Sequence, residues 1–87
     1  MIDKYISRVE EVCGEEKGYI VLLKRKYRDE IIENILSKGR VVKSISNILM
    51  NVEYEGKSVD VFRTGKLVFK GIESRSELEN MLSKLLA

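Results

Sequence analysis

Residues 48–70 read Ile-Leu-Met-Asn-Val-Glu-Tyr-Glu-Gly-Lys-Ser-Val-Asp-Val-Phe-Arg-Thr-Gly-Lys-Leu-Val-Phe-Lys. Apolar and polar side chains alternate through this stretch, and two glycines interrupt it at 56 and 65. A period of two with Gly-containing breaks predicts consecutive antiparallel strands joined by tight turns. A two-residue turn at Glu55-Gly56 sets Val52 opposite Val59, Met50 opposite Val61 and Asn51 opposite Asp60. The same turn at Thr64-Gly65 fails, because it sets Asp60 opposite Phe69. A three-residue loop, Arg63-Thr64-Gly65, with Gly65 at a left-handed bulge position sets Val61 opposite Leu67, Val59 opposite Phe69, Asp60 opposite Val68 and Phe62 opposite Lys66. One face is then apolar, with Met50, Val52, Val59, Val61, Leu67 and Phe69. The other carries Asn51, Glu53, Ser58, Asp60, Phe62, Val68 and Lys70, as an antiparallel sheet covered on one side requires.

Working outward, Tyr19–Leu23 predicts a strand apolar on both faces, with Lys24-Arg25-Lys26 extending or ending it, so that the strand spans 19–26. Asp29 is placed to cap a helix over 29–38 whose stripe is Ile31, Ile32, Ile35 and Leu36, and Gly39 stops it. Arg40–Ser46 alternates loosely and predicts a further strand. Ser74-Arg75-Ser76-Glu77 has the form of a capping box, and Leu78, Met81, Leu82 and Leu85 follow as one stripe to residue 86. That stripe is too short for a coiled coil and belongs to a core. At the other end Ile2, Ile6, Val9 and Cys13 stand four, three and four residues apart. This spacing predicts an N-terminal helix over 1–14, with Cys13 a small core residue. The expected fold is α+β: a two-layer sandwich of a five-stranded antiparallel sheet with helices on one face, in a single domain over 1–87.

Composition limits function. The chain has 87 residues, no His, Trp or Pro, and one Cys; 16 basic against 14 acidic residues leave +2. Without His, neither a Ser–His nor a Cys–His nucleophile pair can be built, and the commonest metal ligand is missing. Six scattered glycines punctuate elements and form no phosphate-cradling motif. No enzyme activity, cofactor or metal site is expected. No stretch is long and apolar enough to span a bilayer or to serve as a signal peptide, and a single Cys points to a reducing compartment or to no selection for bridges; a cytoplasmic location is expected.

The stretch Phe62-Arg63-Thr64-Gly65-Lys66-Leu67-Val68-Phe69-Lys70-Gly71-Ile72-Glu73-Ser74, followed by an acidic helix start, resembles one repeat of the TATA-binding protein. The likeness extends in element order over residues 19–86, β-α-β-β-β-β-α, with the N-terminal helix as an addition. Small archaeal proteins also resemble single repeats of this fold. The resemblance implies an open concave sheet that meets DNA in the minor groove, and it places Phe62, Lys66, Val68 and Lys70 at groove-facing positions. The chain departs from the family in having one repeat, no second Phe beside the first, and carboxylates at Glu53 and Asp60, with Glu55 close by.

Lys24-Arg25-Lys26-Tyr27-Arg28 is the one local basic concentration. It reads either as a phosphate-contacting strip or as a solvated strand end that deters pairing. Asn51 opposite Asp60 reads as an exposed cross-strand pair. The expectation is a non-enzymatic binding module whose partner is a macromolecule, protein favoured, with a homodimer through strand 19–26 as one form. The alternative is nucleic acid on Lys24, Arg25, Lys26, Arg28, Phe62, Lys66, Val68 and Lys70.

Overall fold

The computed structural model describes residues 4–12 and 17–86. Six strands and two α-helices follow in the order β1 (Ile6–Val12), β2 (Gly18–Leu23), a 3-10 turn (Arg25–Tyr27), α1 (Arg28–Lys38), β3 (Arg40–Ile45), β4 (Leu49–Tyr54), β5 (Lys57–Phe62), β6 (Lys66–Lys70) and α2 (Arg75–Leu86). The strands form one antiparallel sheet in the order β1-β2-β6-β5-β4-β3. Thus β4, β5 and β6 are a meander, while the β2–α1–β3 connection carries the chain across to the opposite edge.

The two hairpins have the expected register. Met50 pairs with Val61 and Val52 with Val59 across a Glu55-Gly56 turn, and both turn residues have positive φ, 50° and 79°. Val59 pairs with Phe69 and Val61 with Leu67 around a loop in which Gly65 has φ 102°. A side chain at that φ would be strained, which is why glycine occupies it. The six apolar side chains of the expected covered face are all buried, and Tyr19, Val21 and Leu23 of β2 join them. On that layer lie Ile31, Ile32 and Ile35 of α1 and Leu78, Met81, Leu82, Leu85 and Leu86 of α2. Among the described residues the core contains no buried polar or charged side chain.

The N-terminal segment corrects one expectation. Residues 6–12 form an edge strand in place of a helix, and the sheet has six strands in place of five. The reason lies in a register shift between Ile6 and Arg8. Ile6 pairs with Leu23 and Val9 with Val21, so two residues three apart meet two residues two apart. The bulge re-phases the alternation, and a bulged strand thereby imitates a helical spacing. The edge of β2 supplies the decisive driving force, because it would otherwise present a row of unpaired backbone groups. Cys13 and Gly14, assigned to the expected helix, lie outside the described residues. A second correction follows: β2 is interior, with β1 on one side and β6 on the other, so the 19–26 edge is not open to a second copy.

Two local expectations at α1 also change. The strand stops at Leu23, and Lys24–Tyr27 turns, closed by the Tyr27 N–H donating to the Lys24 carbonyl at 3.0 Å. The helix begins at Arg28 with no side-chain cap, and Asp29 sits within its first turn, where its charge favours the helix dipole. Gly39 ends the helix in extended conformation, and any Cβ there would overlap the buried Val52 side chain. At α2 the Ser74 hydroxyl accepts from the Glu77 N–H at 3.2 Å, while the Glu77 carboxylate accepts from Glu73 at 3.5 Å, one residue short of the expected capping box.

The two phenylalanines project to opposite faces. Phe69 is fully buried, whereas Phe62 pairs with Leu49 on the open face and is half-buried. Phe69→Ala is expected to cost about 3–5 kcal/mol, and Phe62→Ala only about 1 kcal/mol, in urea or guanidinium melts. An equal or inverted cost would show that the covered and open faces are exchanged.

Candidate functional site

Three surfaces remain once the core is assigned. The first is the open face of the sheet. The expected residues Phe62, Lys66, Val68 and Lys70 do share it, and so do Ile20 and Leu22 of β2 through their pairing with Val68 and Lys66. It is not a bare apolar platform. The Lys66 ammonium stands 5.3 Å from the centre of the Phe62 ring. Asp60, whose side chain is only 17% exposed, accepts from Asn51 at 2.6 Å and pairs with Lys70 at 3.0 Å; the Asn51 amide also donates to Ser58 at 2.8 Å. The Asn51–Asp60 pair is therefore the centre of a half-buried network, more than an exposed cross-strand contact. Glu55 leaves this face, since its carboxylate pairs with Lys84 of α2 at 3.1 Å.

The second surface is one end of the sheet. The Leu23 N–H donates to Gly65 O and the Lys24 N–H to Tyr5 O, both at 2.8 Å, and the Arg28 stem packs on Gly65. These contacts bring Lys24, Arg25, Lys26 and Arg28 beside the β5–β6 loop with Arg63 and Lys66, and beside Lys4. Two half-buried tyrosines, Tyr5 and Tyr27, meet edge to face at 5.0 Å between ring centres. The Lys4 ammonium lies 5.5 and 5.6 Å from the two rings, and that of Lys26 lies 5.6 Å from Tyr27. Arg28 also pairs with Asp29 at 3.3 Å, and Arg63 with Glu33 at 3.8 Å. The eight expected contact residues thus divide into a basic end (Lys24, Arg25, Lys26, Arg28 and Lys66) and an open face, with Lys66 shared between them. Lys70 is engaged by Asp60.

The third surface was not anticipated. All six residues of β3 are exposed, and the exposed large apolar side chains among the described residues are Val41 (45%), Val42 (58%), Ile45 (46%) and Ile48 (62%). All four lie on β3 or in the turn after it. The strand is outermost and paired only with β4, with a register shift between Val41 and Lys43. An open hollow of about 330 Å³ adjoins it on the open face, lined by Val42, Lys43, Ile45 and Leu49 and by the Asn51–Asp60–Lys70 network. The sequence signal was faint: adjacent Val41 and Val42 break the alternation that marks a covered face, and no carboxylate occurs between Glu33 and Glu53.

Among the described residues no group of His, Cys, Asp and Glu is arranged to hold a metal ion, and no helix is long and apolar enough to cross a membrane. The chain matches no family model, no curated protein and no solved structure.

The polar network has a measurable consequence. Removal of the Asp60 carboxylate takes one acceptor from Asn51 and the counter-charge from Lys70. Asp60→Ala is expected to destabilise by about 1 kcal/mol. A double-mutant cycle between Asp60 and Lys70 should return at most about 1 kcal/mol of coupling, because Lys70 is largely in water. A markedly larger coupling in denaturant melts would show that the pair is desolvated.

Proposed function

We propose that this chain is a non-enzymatic binding module that engages another protein through the free edge of β3. One observation carries the reading: the most exposed apolar side chains collect on a single outermost strand and the turn after it. Edge strands are normally blunted by charge, shortness or cover, because their unpaired N–H and C=O groups template further pairing. The other edge follows that rule. β1 presents Arg8, Glu10 and Glu11, with Arg8 and Glu10 paired at 2.9 Å, while Ile6 and Val9 pack on the core. β3 also carries charge, at Arg40 and Lys43, but of one sign only, and beside it presents exposed aliphatic side chains, at a site where an added strand gains both main-chain hydrogen bonds and apolar contact. The order from β2 to α2 supports reading this part as a single repeat of the TATA-binding-protein-like fold, with β1 as an added edge strand.

A photo-crosslinking amino acid placed at Val42 and, as control, at Ser83 on the exposed side of α2 tests the proposal in living cells of the source organism. The expected result is a discrete protein adduct from position 42, absent from position 83 and lost when Ile45→Lys is added. Equal adducts from both positions would defeat it.

A second reading has its own observation. The fold draws Lys4, Lys24, Arg25, Lys26, Arg28, Arg63 and Lys66 from three separate segments to one end of the sheet, where nucleic-acid phosphates can be neutralised. Docking through the open face itself is disfavoured, since Glu53 lies on it and Asp60 there engages Lys70, a cation that phosphate would otherwise meet. On this reading, binding of a labelled oligonucleotide weakens with salt at a log–log slope of about −0.9 per phosphate contacted on duplex. Lys24→Glu with Lys26→Glu should abolish it. Absence of binding at low salt would remove this reading and leave the first intact.

A further inference from the structure

The charge on β3 says what kind of strand its edge will take. From Asn34 to Val52 the chain carries Lys38, Arg40 and Lys43 and no carboxylate. Arg40 and Lys43 are exposed, and neither side chain is held in an ion pair among the described residues. Glu53 is the residue opposite Arg40 on β4, and even there no pair forms. The hollow beside the strand is lined by aliphatic Val42, Ile45 and Leu49 together with Lys43, while the carboxylate within it, Asp60, is already engaged by Asn51 and Lys70.

Resting on the reading of β3 as a protein-binding edge, we infer that its occupant is an extended segment of another protein that presents carboxylates and aliphatic residues on one and the same face. Arg40, Lys43 and Ile45 lie opposite Glu53, Asn51 and Leu49 on the open side of the sheet, and Val42 lines the hollow there, whereas Val41 lies opposite Val52 on the other side. Such a segment adds as a further strand whose backbone satisfies the free N–H and C=O groups of β3; on its open-side face, aliphatic side chains meet Val42 and Ile45 and carboxylates meet Arg40 and Lys43. A second copy of the chain is the wrong occupant. Antiparallel self-pairing of β3 would place two Arg40 and two Lys43 side chains along one strand pair with no acid on either strand, and concentrating like charge on a strand pair is destabilising. The two cations thus admit an acidic strand and reject the chain's own edge, so attraction and repulsion act together in setting specificity.

Two short labelled peptides test the inference, one with threonine at every second position and valine and glutamate taking turns at the positions between, so that both lie on one face, and the other with lysine in place of glutamate. Their binding to the full chain is read by fluorescence anisotropy and by backbone amide shifts. The glutamate peptide is expected to bind at least ten-fold more tightly at low salt, with shifts confined to β3, the following turn and β4, and with an advantage that shrinks as salt rises. Arg40→Glu with Lys43→Glu, both at exposed side chains, should reverse the preference, and unchanged circular dichroism would show that this variant folds. Equal affinity for both peptides with shifts at β3 would overturn the acidic occupant and leave the edge reading standing. A dimer in sedimentation whose dilution shifts map to β3 would do the same in favour of a second copy. Absence of any peptide effect at β3, on a chain that sediments as a monomer, would overturn both.

Discussion

The structure depends on the backbone at Gly65. Its left-handed conformation adds one residue to the β5–β6 loop, and that residue sets Val59 against Phe69 and Val61 against Leu67. Side chains on a strand alternate faces, so a one-residue slip would turn every residue of β6 over. Phe69 and Leu67 would then face water, and Lys66, Val68 and Lys70 would face α1 and α2. A core that buries no charged side chain among its described residues has no place for those lysines. The loop therefore specifies the boundary between covered and open faces for the middle of the sheet, and β2 inherits it through its pairing with β6. A contact made on the open face follows from the same constraint. Lys66 reaches the Phe62 ring because the longer loop sets it across from Phe62 on the open side.

What could be read in the sequence, and what could not, divides along the same line. From Leu49 to Lys70 the strands are successive, their turns carry glycine at positions of positive φ, and the apolar residues have one consistent pairing. Local chemistry was enough there. The N-terminal segment failed because its decisive partner is remote in kind. The spacing of Ile6 and Val9 is ambiguous between a helix and a bulged strand, and only the vacant edge of β2 resolves it. Tertiary context overrides propensity most easily in short segments whose isolated helices are marginal in water. A similar limit applies to Lys24–Arg28. Its charges were visible, but their company was not, since Lys4 and Arg63 come from other parts of the chain and meet them only through the bonds of Leu23 and Lys24.

The β3 edge was missed for a different reason. Hydrophobic periodicity identifies strands by the face they bury, and β3 buries no face: all its residues are exposed. What it offers is a backbone edge flanked by exposed aliphatic side chains and by the cations Arg40 and Lys43, for which hydrophobic periodicity carries little signal. No carboxylate and no proline lies between Glu33 and Glu53, and two β-branched residues stand side by side at Val41 and Val42. The contrast with β1 is informative because both strands are outermost and both contain a register shift, yet one carries a closed ion pair and packs its aliphatic residues inward while the other does neither.

The two outer surfaces meet at one point. The basic end is built where β2, the β5–β6 loop and Tyr5 meet; the β3 edge lies at the far side of the sheet order, but the turn after it reaches that end, with the Arg63 N–H donating to the Ile48 carbonyl at 3.0 Å. A strand added at β3 extends the hydrogen-bonded ladder without covering the Lys24–Arg28 turn. The Asn51–Asp60–Lys70 network stands on β4, β5 and β6, inward of β3, so such a strand leaves it uncovered. Arg40 and Lys43, on β3 itself, are the charges such a strand meets first.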